Sequence, residues 1–136
     1  MAGNLQVQLQ SQLVVTDLGL SPNPSIIARS QNVPVLNVTA LYYEPYFQVP
    51  NGTATVNLPA ATVYLVYVRN LSSSTNITLN YTPSGGSTTS VVLVSGTAAG
   101  AGSIFLLMGA AETSGGVTSV SLTATAITPA EVLVGA

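Results

Sequence analysis

The chain has 136 residues, and only 4% of them are charged: two arginines and four carboxylates, with no Lys, His, Cys or Trp. An ordinary soluble domain carries about 25% charged residues. Two cations cannot displace a run of phosphate counterions or coat an anionic bilayer, which argues against nucleic-acid binding and a polybasic membrane contact.

The first element is "LQVQLQSQLVV". Leu5, Val7, Leu9, Leu13 and Val15 alternate with Gln6, Gln8, Gln10 and Gln12, the two-residue period of a strand with one apolar face. "PNPS" breaks the pattern after Leu20. This divides the chain into an N-terminal strand or arm, residues 1–20, and a single β-sandwich domain, residues 21–136. The N-terminus has neither a basic start nor an apolar run, so it does not read as a secretory leader, and folding in the cytoplasm is expected.

A second strand region runs from Val33 to Tyr43, and "EPYFQVPNG" follows it with a tight-turn signal at Asn51-Gly52. "TATVNLP" is a short strand. Strands near Thr62–Leu71 and Asn76–Thr82 are joined by "SSST". "PSGGS" turns into "TTSVVLVS", "GTAAGAG" loops into "SIFLLM", and "VTSVSLTATA" and "EVLVG" complete the series. Strands spaced by about 8 to 12 residues and divided by turn residues point to an all-β sandwich or barrel. No segment repeats at the helical period, and the apolar runs are too short for a membrane-spanning helix, which needs about 20 residues.

Chemistry is sparse. The bases that catalysis usually employs near neutral pH, His and Lys, are absent, as is the Cys thiol. Asp17, Glu44, Glu112 and Glu131 are isolated in sequence, so a carboxylate pair of the glycosidase type would have to be assembled by the fold. No spacing suits zinc or calcium, and the two Gly-rich loops lack the lysine of a phosphate loop. No catalytic residue, cofactor or metal is expected. Five N-x-S/T sequons, at Asn37, Asn51, Asn70, Asn76 and Asn80, are best explained by Asn and Thr alternating on a solvent-facing strand surface.

Two features remain as interface candidates beside Leu5, Val7 and Leu9 of the arm. Tyr42, Tyr43 and Tyr46, with Phe47, form the densest aromatic cluster, suited to a sheet core or to stacking on a sugar or partner. Arg69 ends "VYLVYVRN", a stretch apolar on both of its faces and so expected to be a central, doubly covered strand. At a strand end its guanidinium can hydrogen-bond loop carbonyls, pair with a carboxylate, or bridge subunits.

The stretch "VYVRNLSSSTNITLNYTPSGGSTTSVVLVSG", then "SIFLLM", "GGVTSVSLTATA" and "EVLVG", resembles small tailed-bacteriophage virion proteins. The resemblance implies a jelly-roll-like β-sandwich of about eight strands with minimal helix. It also implies a non-enzymatic structural role in a viral particle, of the head-decoration or cementing type. The expected partners are further copies of the chain, a trimer or ring, and a major capsid or other virion protein. The alternative is a sugar- or receptor-binding sandwich on a virion spike or tail.

Overall fold

The computed structural model describes residues 5–7, 36–108 and 116–136. In chain order the strands are β1 (Leu5–Val7), β2 (Leu36–Val38), β3 (Leu41–Val49), β4 (Gly52–Thr55), β5 (Leu65–Asn70), β6 (Ile77–Pro83), β7 (Thr89–Leu93), β8 (Ile104–Met108), β9 (Val117–Ala124) and β10 (Thr128–Gly135). No helix occurs among the described residues.

Eight of the strands form two four-stranded antiparallel sheets, ordered β3-β10-β5-β8 and β4-β9-β6-β7. The pairs nest: β6 lies on β7, β5 on β8, β4 on β9 and β3 on β10. This is a hairpin of strands rolled across two layers, the jelly-roll arrangement. The fold is therefore the expected all-β sandwich, and the count of about eight strands holds for its two sheets. β1 and β2 add a separate two-stranded ribbon, with Leu5 opposite Val38 and Val7 opposite Leu36.

The core lies between the sheets, where alternation sends one face of each strand inward. β5 contributes Val66 and Val68, β6 Ile77 and Leu79, β9 Val120 and Leu122, and β10 Val132 and Val134, all buried. Every one is β-branched or leucine, the side chains that fill a pleated interior. Burying each contributes about 1.5–3 kcal/mol.

The two sheets differ on their outer sides. On the first, Leu65 of β5 and Val38 of β2 are buried in a second, smaller cluster with Tyr64, Leu106, Met108 and Leu133 packed around them. Gly135 makes room for this cover: a Cβ there would sit 2.8 Å from Val38 Cγ1. β5 is thus central and apolar on both sides, as its sequence predicts. On the second sheet the outward positions are Thr53, Thr55, Thr78, Asn80, Thr82, Ser90, Ser119, Ser121 and Thr123, with Val92 as the apolar exception.

Two local expectations are revised. "EPYFQV" is not a connection: β3 continues through Pro45 to Val49. It can do so because β3 is an edge strand with β10 as its one sheet neighbour, and because the register slips there. Pro45 and Tyr46 both fall opposite Glu131, a bulge that absorbs the residue lacking an N–H. Asn51-Gly52 is not a hairpin turn. It carries the chain from β3 in one sheet to β4 in the other, and Gly52 takes φ 130°, a value L side chains avoid. "SSST" likewise joins β5 to β6 across the two sheets.

Candidate functional site

A tyrosine–carboxylate constellation lies on the outer side of the first sheet. β10 puts Glu131 opposite Arg69 of β5, and Leu133 opposite both Tyr67 of β5 and Tyr43 of β3. Alternation then brings Tyr43, Tyr67, Arg69 and Glu131 to one face. Tyr43 donates its hydroxyl proton to Glu131 Oε1 at 2.9 Å, and Tyr67 donates to Oε2 at 3.0 Å. One carboxylate therefore clamps the strands on either side of it.

The clamp holds both phenols in their neutral form. At Tyr43 the hydrogen bond to Glu131 is the leading cause that raises the pKa above the ordinary value of about 10, followed by burial and by the carboxylate's charge. At Tyr67 burial leads, Glu131 adds its hydrogen bond and charge, and Arg69 pulls weakly the other way. Tyr43 is 51% exposed and Tyr46, in the bulge beside it, is 70% exposed. Their rings form an open aromatic edge to the cluster.

Arg69 borders this clamp, close enough to Tyr67 to act on its hydroxyl, and also reaches the neighbouring loop. Its Nη2 donates to the carbonyl of Gly100, in the loop between β7 and β8. Its Nε is buried without a partner. Of the roles open to it, hydrogen-bonding a loop carbonyl of its own chain is the one seen. The following residue, Asn70, is wholly buried and works as a knot. Its Nδ2 donates to the carbonyls of Thr75 and Leu93, both at 2.9 Å, and its Oδ1 accepts from Ser72 N at 2.9 Å. This corrects the reading of its sequon, because Asn70 faces the core and not solvent. Asn80 does lie on an outer strand surface, where it accepts from Ser90 Oγ at 2.6 Å.

The other expected interface residues separate. Tyr42 packs on the main core, one position out of phase with Tyr43, so the aromatic cluster splits across the sheet. Leu5 and Val7 belong to β1, whose backbone pairs with β2 of the same chain, and Leu9 lies outside the described residues. Glu44 pairs in register with Val132, a core position, so it leaves the sheet on the side opposite Glu131. Asp17 and Glu112 lie outside the described residues. Among the described residues no group of three or more His, Cys, Asp or Glu could hold a metal ion.

Sequence reasoning singled out Tyr43 and Arg69 and missed Tyr67 and Glu131 as their companions. Strand alternation places Tyr67 and Arg69 together, but only the β3-β10-β5 order brings Glu131 between the tyrosines. On the second sheet an open depression of about 470 Å³ runs along Thr78, Val92 and Thr123 beside Ser74, Thr75 and Asn76. It holds no titratable group. In comparisons with known proteins, no family model, no curated protein and no solved structure matches the chain.

Proposed function

We propose that the chain is a non-enzymatic structural component of a viral particle, a homo-oligomeric decoration or cementing protein. Its partners are further copies of itself and a shell protein. The observation that carries this reading is the joining of a nested jelly roll to outer surfaces with almost no charge. Among the described residues the charges are Glu44, Arg69 and Glu131. Glu131 is occupied by two tyrosine hydroxyls and Arg69 by a carbonyl. Neutral, internally bonded surfaces enter an interface at low desolvation cost, whereas an unpaired charge costs several kcal/mol to bury. The resemblance of "VYVRNLSSSTNITLNYTPSGG" and the segments after it to small phage virion proteins supports the same class.

Immuno-electron microscopy tests this proposal on particles from cultures that express the chain. Regular labelling of intact particles is the expected result. Protein found free and unassembled, with bare particles, overturns the reading.

A second reading rests on Tyr43 and Tyr46. Two open tyrosine rings beside a carboxylate suit a sugar or a receptor surface, the pattern of a spike or tail module. A glycan array separates the two. Binding that is lost in Tyr46→Ala favours this reading, and a blank array on well-folded protein removes it.

A further inference from the structure

The two lateral margins of the sandwich are built differently. β3 and β4 form one margin, β7 and β8 the other. At the second, Ser103 N, just before β8, donates to the carbonyl of Val94, just after β7, at 2.9 Å. Exposed sheet edges invite pairing with other chains, and proteins guard them with proline, bulges, charges or short strands. β3 has Pro45, a bulge and Glu44, and β4 is only 4 residues long. β7 and β8 have no proline, no charge and an unbroken register with their neighbours. Val92, Val94 and Ile104, each more than half exposed, crowd this same margin.

The backbone of β8 is set for a partner. Asn70 N donates to Ser103 O at 3.0 Å, which fixes the phase of the β5–β8 ladder. Bonded and non-bonded pairs alternate in antiparallel strands. Phe105 and Leu107 therefore turn their N–H and C=O toward β5, and Ile104, Leu106 and Met108 turn theirs outward. Among the described residues no strand meets those outward groups.

The geometry points to β8 of a second copy as the occupant, paired antiparallel about a two-fold axis at Leu106. In that register Leu106 exchanges both bonds with Leu106 of the partner subunit. Ile104 and Met108 exchange theirs reciprocally, so every outward group is used. Side chains agree as well: Ile104 faces a methionine on one side of the joined sheet, Phe105 faces a leucine on the other, and no polar group meets an apolar one. β7 lacks this symmetry, because a two-fold at Val91 sets Thr89 against a leucine and Ser90 against a valine. An isologous contact requires such self-complementarity. The first sheets of two copies become one continuous eight-stranded sheet. The inference shares only self-association with the proposed function. A two-fold contact yields even numbers of copies, so a trimer would have to close through a different surface.

The chain has no cysteine, so Leu106→Cys introduces a unique thiol. In a bonded antiparallel pair the Cα atoms are about 5.5 Å apart, within disulfide reach. Oxidised Leu106→Cys is expected to give a covalent dimer, and Thr89→Cys on β7 is not. Ile104→Lys adds an edge charge at an open position. It is expected to halve the mass seen by analytical ultracentrifugation while leaving the circular dichroism spectrum of the wild type. An assembly that keeps its mass in Ile104→Lys and fails to cross-link through position 106 overturns the β8 contact and leaves oligomeric assembly standing. A wild-type monomer at its highest soluble concentration overturns both. Particle labelling by a chain that does not self-associate removes β8 pairing and the homo-oligomer and leaves the particle role standing.

Discussion

The two outer sides of this sandwich solve the same problem in opposite ways. The second sheet leaves its outer side to solvent and covers it with hydroxyls and amides bonded to one another, such as Thr53 to Thr123 at 2.8 Å and Ser90 to Asn80 at 2.6 Å. The first sheet is partly wrapped by its own chain: Val38 of the β1–β2 ribbon closes over Leu65, and the tyrosine–Glu131 clamp bonds together the adjoining, more open strip. The contrast explains why β5 reads apolar on both faces while β6 and β9 alternate. It also places all three described charges on the sheet that is otherwise the more apolar, two of them, Arg69 and Glu131, on its outer side.

The comparison breaks first at Leu65. If the outer cluster is a true second core, Leu65→Ala costs about as much as Leu79→Ala in the main core, roughly 2–5 kcal/mol each. Urea denaturation of both variants decides this, and a loss at Leu65 near zero would reduce the cluster to a surface contact. Next in size is Asn70, which ties β5 of one sheet to the end of β7 in the other. Asn70→Ala strands buried carbonyls and an amide, and is expected to lower stability by about 2–3 kcal/mol. A Tm unchanged from wild type would show that water replaces the knot.

Smaller effects sharpen the contrast. Tyr67→Phe removes one hydroxyl from the half-buried clamp and should cost about 1 kcal/mol. The clamp also sets a pH dependence. The folded pKa values of Tyr43 and Tyr67 lie above their unfolded value. Their contribution is therefore fully present below about pH 10 and is lost as pH rises through the folded values. Denaturation midpoints should fall across that alkaline window in wild type and fall less in a Tyr43→Phe, Tyr67→Phe double variant. Parallel curves would show that the hydroxyls contribute nothing. The smallest change belongs to the other sheet. Thr123→Val on its open side should stay within about 0.5 kcal/mol of wild type by the same denaturation measurement.

Much of this architecture was legible in the sequence because strand alternation and turn residues are local signals. The positions of β5 through β10, the central place of β5 and the turn at "PSGGS" follow from them. What sequence reading misjudged depends on pairing. β3 runs through Pro45 only because an edge strand can bulge, and the edge position is set by β10, more than eighty residues away. Asn51-Gly52 carries an ordinary turn signal and is used for a change of sheet. The site was half legible for the same reason. Scarcity of charge drew attention to Arg69, and clustering drew attention to Tyr43, but Glu131 joins Tyr43 only through a register that no local pattern encodes. Asn70 looked like one more surface Asn because its long-range bond, to the carbonyl of Leu93 at the end of β7, is made only in the fold.

The place of β10 has a consequence for how the molecule is made. β3 and β5 share no hydrogen bonds; each pairs with β10, which lies between them. During synthesis the inner pairs, β6 on β7 and β5 on β8, can form early, but the first sheet stays divided until Gly135 has left the ribosome. Until then β3 and one side of β5 present open ladders. Pairings between residues so far apart fold slowly, on the scale of milliseconds to seconds. The low charge that suits the finished surface gives the nascent chain little repulsion to keep neighbours apart on one messenger RNA. Protein made at high ribosome density is therefore expected to aggregate more than the same chain refolded from urea, and slowing initiation should recover it.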